Sequence, residues 1–264
     1  MTRIEVMERI KECEELGLYQ EHVDPVDFSN VIHVDENFHY LKHPLGERIV
    51  YFFKNIFVVL PFTFHLNKVR FKKKVVGKEN LKGIDAAVIT CNHVDKFDCL
   101  AVKGTVGRRL YITAAPFNNQ KGWLGGMMRV GGMLPMSEEE SGMIAFNNAL
   151  STLLHSHKFI LYYPEQAMWW HYRKPRPLKK GAFYTAVKNN VPVIPMFITF
   201  TGSGKFDEEG IEKDHFTLHI SKPIYPDKNM SEREQIEDLR LKNFEAWKKT
   251  YEEFYKCELN LSIN

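Results

Sequence analysis

The strongest constraint on this chain is a regular alternation, between residues 76 and 200, of short apolar runs with longer segments of helical periodicity. Runs at 86–91, 109–113, 159–163 and 193–200 read as buried strands. Segments starting near Asp98, at 142–155 and at 180–189 read as helices, the second carrying Met143, Phe146, Leu150, Leu153 and Leu154 at helical spacing. Strands separated by helices pair in parallel, so the expected fold is α/β: a largely parallel central sheet flanked by helices, with residues 217–220 closing it on an edge. At 264 residues the chain fits one such domain with an appendage. The expected division is a helical extension and interfacial membrane anchor over 1–75, then a catalytic body over 76–264.

The flanks read differently. Residues 2–15 suggest a helix with Ile4, Met7 and Ile10 on one face, and 19–44 a polar loop with short helical pieces, broken at Asp24-Pro25. At the other end, 231–256 reads as an amphipathic helix. Ser231 and Glu234 form a capping box, and Ile236, Leu239, Phe244, Trp247, Tyr251 and Phe254 form a stripe that packs on the body. The net charge of +3 is too small for bulk nucleic-acid binding, and no nucleic-acid partner is expected. Cys13, Cys91, Cys99 and Cys257 show no CxxC spacing and read as reduced thiols of a cytosolic compartment. No signal peptide is visible, because the opening segment is charged and helical. His155, His157, His171, His215 and His219 lack ligand spacing, so no metal is expected.

Residues 48–68 read RIVYFFKNIFVVLPFTFHLNK. Lys54 and Asn55 interrupt this run, Pro61 is expected to kink it, and the uncharged part is shorter than the roughly 20 residues of a simple crossing. Lys68, Arg70, Lys72, Lys73 and Lys74 follow. An aromatic-rich segment beside a basic cluster fits an anchor lying on an anionic leaflet, where each basic residue contributes roughly 1 kcal/mol. The expected location is the cytoplasmic face of the cell membrane, peripheral or re-entrant. The alternative is a buried helix followed by a solvated charge run.

The chemistry concentrates in Asn92-His93-Val94-Asp95-Lys96-Phe97-Asp98, directly after the first strand of the body. An imidazole titrates near neutral pH, and a carboxylate one helical turn away can fix its tautomer and stabilise the imidazolium. His93 is therefore a candidate general base and Asp98 its orienting partner, against the plainer reading of a turn and a helix cap. Asp95 is expected to be solvated. No Gly-x-Ser-x-Gly elbow is present, and Gly202-Ser203-Gly204 reads as a plain turn.

Three further blocks follow in order: Gly122-Trp123-Leu124-Gly125-Gly126 running to Gly131-Gly132-Met133-Leu134-Pro135, then Tyr162-Tyr163-Pro164-Glu165-Gln166, then Val191-Pro192-Val193-Ile194-Pro195-Met196. With the His93/Asp98 block, this order resembles the glycerolipid acyltransferase superfamily, of the 1-acyl-glycerol-3-phosphate or lysophospholipid acyltransferase type. The resemblance implies transfer of a fatty acyl group from an acyl-CoA or acyl-ACP thioester, as co-substrate and without another cofactor, to a lysolipid hydroxyl at a membrane lipid surface. It implies His93 as general base, Asp98 as its holder, and Asn92, Gly122, Trp123 and Glu165 in substrate binding. Oxyanion stabilisation is expected from backbone N–H groups at the helix start after His93.

Three cationic positions of the family are missing. Pro164-Glu165-Gln166-Ala167-Met168 stands where Pro-Glu-Gly-Thr-Arg is usual, Leu134-Pro135-Met136-Ser137 lacks the arginine that ends the second block, and Thr113-Ala114-Ala115 replaces a basic pair. Arg173, Arg176, Lys179 and Lys180, with Arg129, are the candidate substitutes for gripping a phosphate; a solvated loop is the alternative for 173–180. Trp169 and Trp170 are expected at an acyl channel or lipid interface, or packed beneath the loop. Met127, Met128 and Met133, among the glycines, suit either an adaptable acyl-pocket wall or a core. A same-frame enzyme with a non-phosphate acceptor, and a non-catalytic lipid-binding protein, remain as alternatives.

Overall fold

The computed structural model describes residues 1–41 and 44–261. Positions 42, 43 and 262–264, which the expected loop (19–44) and body (76–264) include, lie outside the described residues. Seven strands form one sheet: β1 (Lys74–Val76), β2 (Ala87–Thr90), β3 (Leu110–Ala114), β4 (Met133–Pro135), β5 (Phe159–Tyr162), β6 (Val193–Phe206) and β7 (Glu212–Ile220), in the order β1-β7-β6-β2-β5-β3-β4. Every pairing is parallel except β6 with β7. The mixed α/β architecture with a mostly parallel central sheet is the one the alternation predicts.

Helices are α1 (Arg3–Glu15), α2 (Leu45–Arg70), α3 (Asp98–Val106), α4 (Gly122–Val130), α5 (Glu140–His155), α6 (Gly181–Asn189) and α7 (Glu232–Tyr255). All four residues of β2 are buried, as befits a strand covered on both faces. Ile89 and Ala87 pack with Ala101 and Val102 of α3 and Leu66 of α2. Val88 joins Phe146 and Leu150 of α5, Phe183 of α6 and Trp247 of α7 on the other face. The Ser231–Glu234 capping box of α7 is present in both directions. Removing a side chain such as Phe146 from water contributes about 1.5–3 kcal/mol.

Four local expectations differ from the structure. Residues 217–220 do not close the sheet, because β7 forms a hairpin with β6 and β1 pairs outside it. Gly202-Ser203-Gly204 lies within β6, near a register shift, rather than ending it as a turn. The buried stripe of α1 is Val6, Ile10 and Cys13, which pack toward Trp169, while Ile4 and Met7 are exposed. Pro61 does not break α2. The helix widens to a π-turn at Asn55–Val59, with the Leu60 N–H bonding the Asn55 carbonyl oxygen, and a wider turn there accommodates a proline ring that would otherwise crowd the preceding turn. The 26-residue helix is thus long and apolar enough for membrane association.

Candidate active site

Parallel strands present their carboxyl ends at one edge, and β2 lies between β6 and β5, where the chain reverses its direction of winding; crevices form at such points. His93 follows β2 and Tyr163 follows β5. The His93 Nδ1 lies 2.9 Å from Asp98 Oδ2, which also accepts the N–H groups of Val94 (2.8 Å) and Asp95 (3.1 Å). Tyr163 donates its hydroxyl to Asp98 Oδ1 at 2.6 Å and stacks on the imidazole, ring centroids 4.0 Å apart. Burial first, and the Asp98 charge second, push the Tyr163 hydroxyl well above its ordinary range, so it remains a donor.

An ionised carboxylate only accepts, so this geometry assigns the imidazole proton to Nδ1 and the lone pair to Nε2. Among the described residues Nε2 has no partner, and about a quarter of the His93 side chain is exposed. The pair can therefore accept a proton from a bound hydroxyl and hold it as imidazolium. The neighbouring thiols are poor nucleophiles: burial pushes Cys99 up to about 12 and Cys91 well above its usual value.

Glu165 and Arg176 occupy an enclosed position below this edge, each 1% exposed. Glu165 Oε2 accepts the His93 N–H (3.0 Å) and Arg176 Nη2 (2.9 Å), while Oε1 accepts the Arg176 N–H. Arg176 donates further to the Tyr19 and Ala167 carbonyl oxygens and lies over the Trp169 ring. These two side chains clamp the His93 backbone to the loop and the N-terminal segment. Asn92 is also enclosed, exchanging hydrogen bonds with the backbone N–H and carbonyl oxygen of Ile198. Trp169 is buried, its indole N–H donating to Glu21.

The other candidates stand apart. Arg173 is exposed, 3.9 Å from Asp214, and Lys180 pairs with Glu237 of α7 at 3.3 Å. Lys179 is exposed. Arg129 donates to Asn119 and Gln120. Gly122 and Trp123 open α4, both exposed.

At the motif itself one expectation is narrowed and one is corrected. The N–H groups of His93, Val94, Asp95, Phe97 and Asp98 all have partners within the chain, so these five are not available to an oxyanion. Asp95 is buried rather than solvated, 2.8 Å from Arg70 of α2 and 3.8 Å from His171. Burial would raise its carboxyl, but the adjacent His171 ring and the Arg70 charge hold it below the usual range. Tyr163 was legible only indirectly, as part of the block that leaves β5, whose Tyr163 and Glu165 both reach the His93 segment. Nothing in the pattern signals Arg70 or His171.

Residues 72–199 match the Acyltransferase family model, which supports placing this segment in the glycerolipid acyltransferase superfamily. Among solved structures, the chain is similar to the 1-acyl-sn-glycerophosphate (LPA) acyltransferase PlsC from Thermotoga maritima, with a TM-score of 0.59 and 19% identity over 81% of this chain and 91% of that one. At that identity the likeness is one of fold. No curated protein matches the chain.

Proposed function

We propose that this acyltransferase moves a fatty acyl group from an acyl-CoA or acyl-ACP thioester to the hydroxyl of a lysophospholipid of the 1-acyl-glycerol-3-phosphate type, at the cytoplasmic face of the cell membrane. The observation that carries this reading is the His93–Asp98 pair, with Nδ1 held and Nε2 open. Nε2 removes the hydroxyl proton as the oxygen attacks the thioester carbonyl carbon. The tetrahedral intermediate collapses, the C–S bond breaks, and the imidazolium returns its proton to the departing thiolate. A thioester is activated enough that no covalent enzyme intermediate is required. The test is incubation with acyl thioesters and a panel of lysolipids, with products identified by mass spectrometry. Acylated lysophospholipid is the expected product; no ester with any acceptor, from folded protein on vesicles, would leave a lipid-binding role instead.

A second reading, the same frame with a non-phosphate acceptor, is favoured by one set of observations. Of the five candidate phosphate ligands, Arg129, Arg173, Arg176 and Lys180 have partners within the chain, and Lys179 is exposed. Preference for an uncharged or sugar-bearing lysolipid in the same panel would select it.

A further inference from the structure

Helix α2 turns polar side chains inward alongside apolar Val59 and Leu66, and leaves aromatics outward. Its inner stripe includes Asn55, Thr63 and Asn67. Asn55 Nδ2 donates to the Val130 carbonyl oxygen of α4 and Asn67 Nδ2 to that of Leu100 in α3, each at 2.9 Å. Its outer face carries Ile49, Phe52, Phe53, Phe57, Phe62 and Phe64, all exposed. Polar groups turned toward protein and aromatics turned outward suit a helix whose outer solvent is hydrocarbon. Arg48, Lys54, Lys68 and Lys72, also exposed, complement an anionic surface.

The neighbouring α4 carries a second outward-facing group. Trp123 stands seven residues before Val130, about 10 Å along the axis and on the same side of the helix. Val130 is buried, yet Trp123 is 72% exposed and Leu124 beside it 62%. That side of α4 has run past the protein that would cover it. The tip is tightly built: Gly122 has φ +79°, and a Cβ on Gly125 would come within 1.8 Å of the Gln120 carbonyl oxygen. Backbone geometry thus holds two apolar side chains out beside the exposed Lys121.

We propose that this tip, Lys121 to Leu124, is a second lipid-insertion point. Trp123 and Leu124 enter the interfacial layer of an anionic leaflet beside α2, and Lys121 meets lipid phosphate. The inference rests on the membrane association proposed above and adds an orientation to it. A single helix lying in a leaflet leaves the body free to roll about that helix. A contact off its axis fixes the roll, and with it the direction in which the edge carrying His93 faces.

The test uses full-length protein on phosphatidylcholine–phosphatidylglycerol vesicles with brominated acyl chains. Trp169 and Trp247 are buried and Trp170 half-buried, so they supply the background emission. Bromine should quench wild-type emission, and Trp123→Ala, still bound through α2, should lose that quenchable part. The double change Trp123→Ala/Leu124→Ala should partition into vesicles on the order of tenfold more weakly. Equal quenching in bound wild type and Trp123→Ala would overturn the insertion point while leaving α2 as anchor. Failure of wild type to bind vesicles at all would remove both. Lipid-free self-association abolished by Trp123→Ala would assign the tip to a second copy of the chain and overturn the proposal.

Discussion

Asp98 carries more of the site than its position as the first residue of a helix suggests. Its carboxylate accepts from the imidazole it orients, from two backbone N–H groups that shape the loop, and from Tyr163 just after the neighbouring strand β5. Asp98→Asn keeps the volume but can present an N–H to Nδ1, favouring the wrong tautomer. The turnover rate should fall about 10²–10⁴-fold with the acceptor KM nearly unchanged; an unchanged rate would reduce Asp98 to a helix cap. Glu165→Gln should act on stability instead. It leaves Arg176 buried without its charge partner, which costs about 3–5 kcal/mol in urea unfolding; a loss below about 1 kcal/mol would show that the pair does not hold the loop. His93 and Asp98 were legible in the sequence because four residues separate them and one turn brings them together. The enclosure of Arg176 was not, since it depends on Tyr19, more than 150 residues away in the chain.

At the scale of elements, periodicity predicts existence better than orientation. Helix α7 begins where Ser231 and Glu234 indicate, and Ser231→Ala should cost about 1 kcal/mol of stability in thermal or denaturant unfolding. No measurable cost would mean that the packing of Leu239, Trp247 and Tyr251 alone fixes that terminus. Helix α1 shows the other case. Ile4, Met7 and Ile10 share one side of the helix, but Val6, Ile10 and Cys13 form an equally helical stripe, and the position of Trp169 decides between them. For α2, the proline and charges argued for interruption. A π-turn, which composition does not announce, lets the helix continue.

Across the whole molecule, a chain of charges joins these elements. Arg70 at the end of α2 meets Asp95 inside the catalytic motif, Asp95 lies near His171, and His171 Nδ1 lies 2.9 Å from Asp214 of β7, with Arg173 beyond. Burial by itself would lower the His171 pKa, but the hydrogen bond to Asp214 and the nearby Asp95 carboxylate outweigh it and raise it. A pKa raised by folding contributes stability that is fully present below the unfolded value of about 6.5 and is lost as pH rises through the folded value. Urea unfolding across about pH 6 to 8 should therefore show a decline in wild type that His171→Gln lacks. Parallel slopes in both proteins would mean that the histidine is not coupled to folding. The parallel sheet was foreseeable from the alternation of elements, whereas this network was not, because its members come from α2, the loop after β2, the loop after β5 and β7.

The most direct test of general-base acyl transfer is acceptor-dependent release of free thiol from an acyl thioester, measured for wild type and for His93→Ala with folding verified by circular dichroism. Wild type should release thiol together with ester product, and His93→Ala should lose at least about 10²-fold in rate while unfolding at the same temperature. A folded His93→Ala protein that turns over at the wild-type rate would contradict a catalytic role for His93.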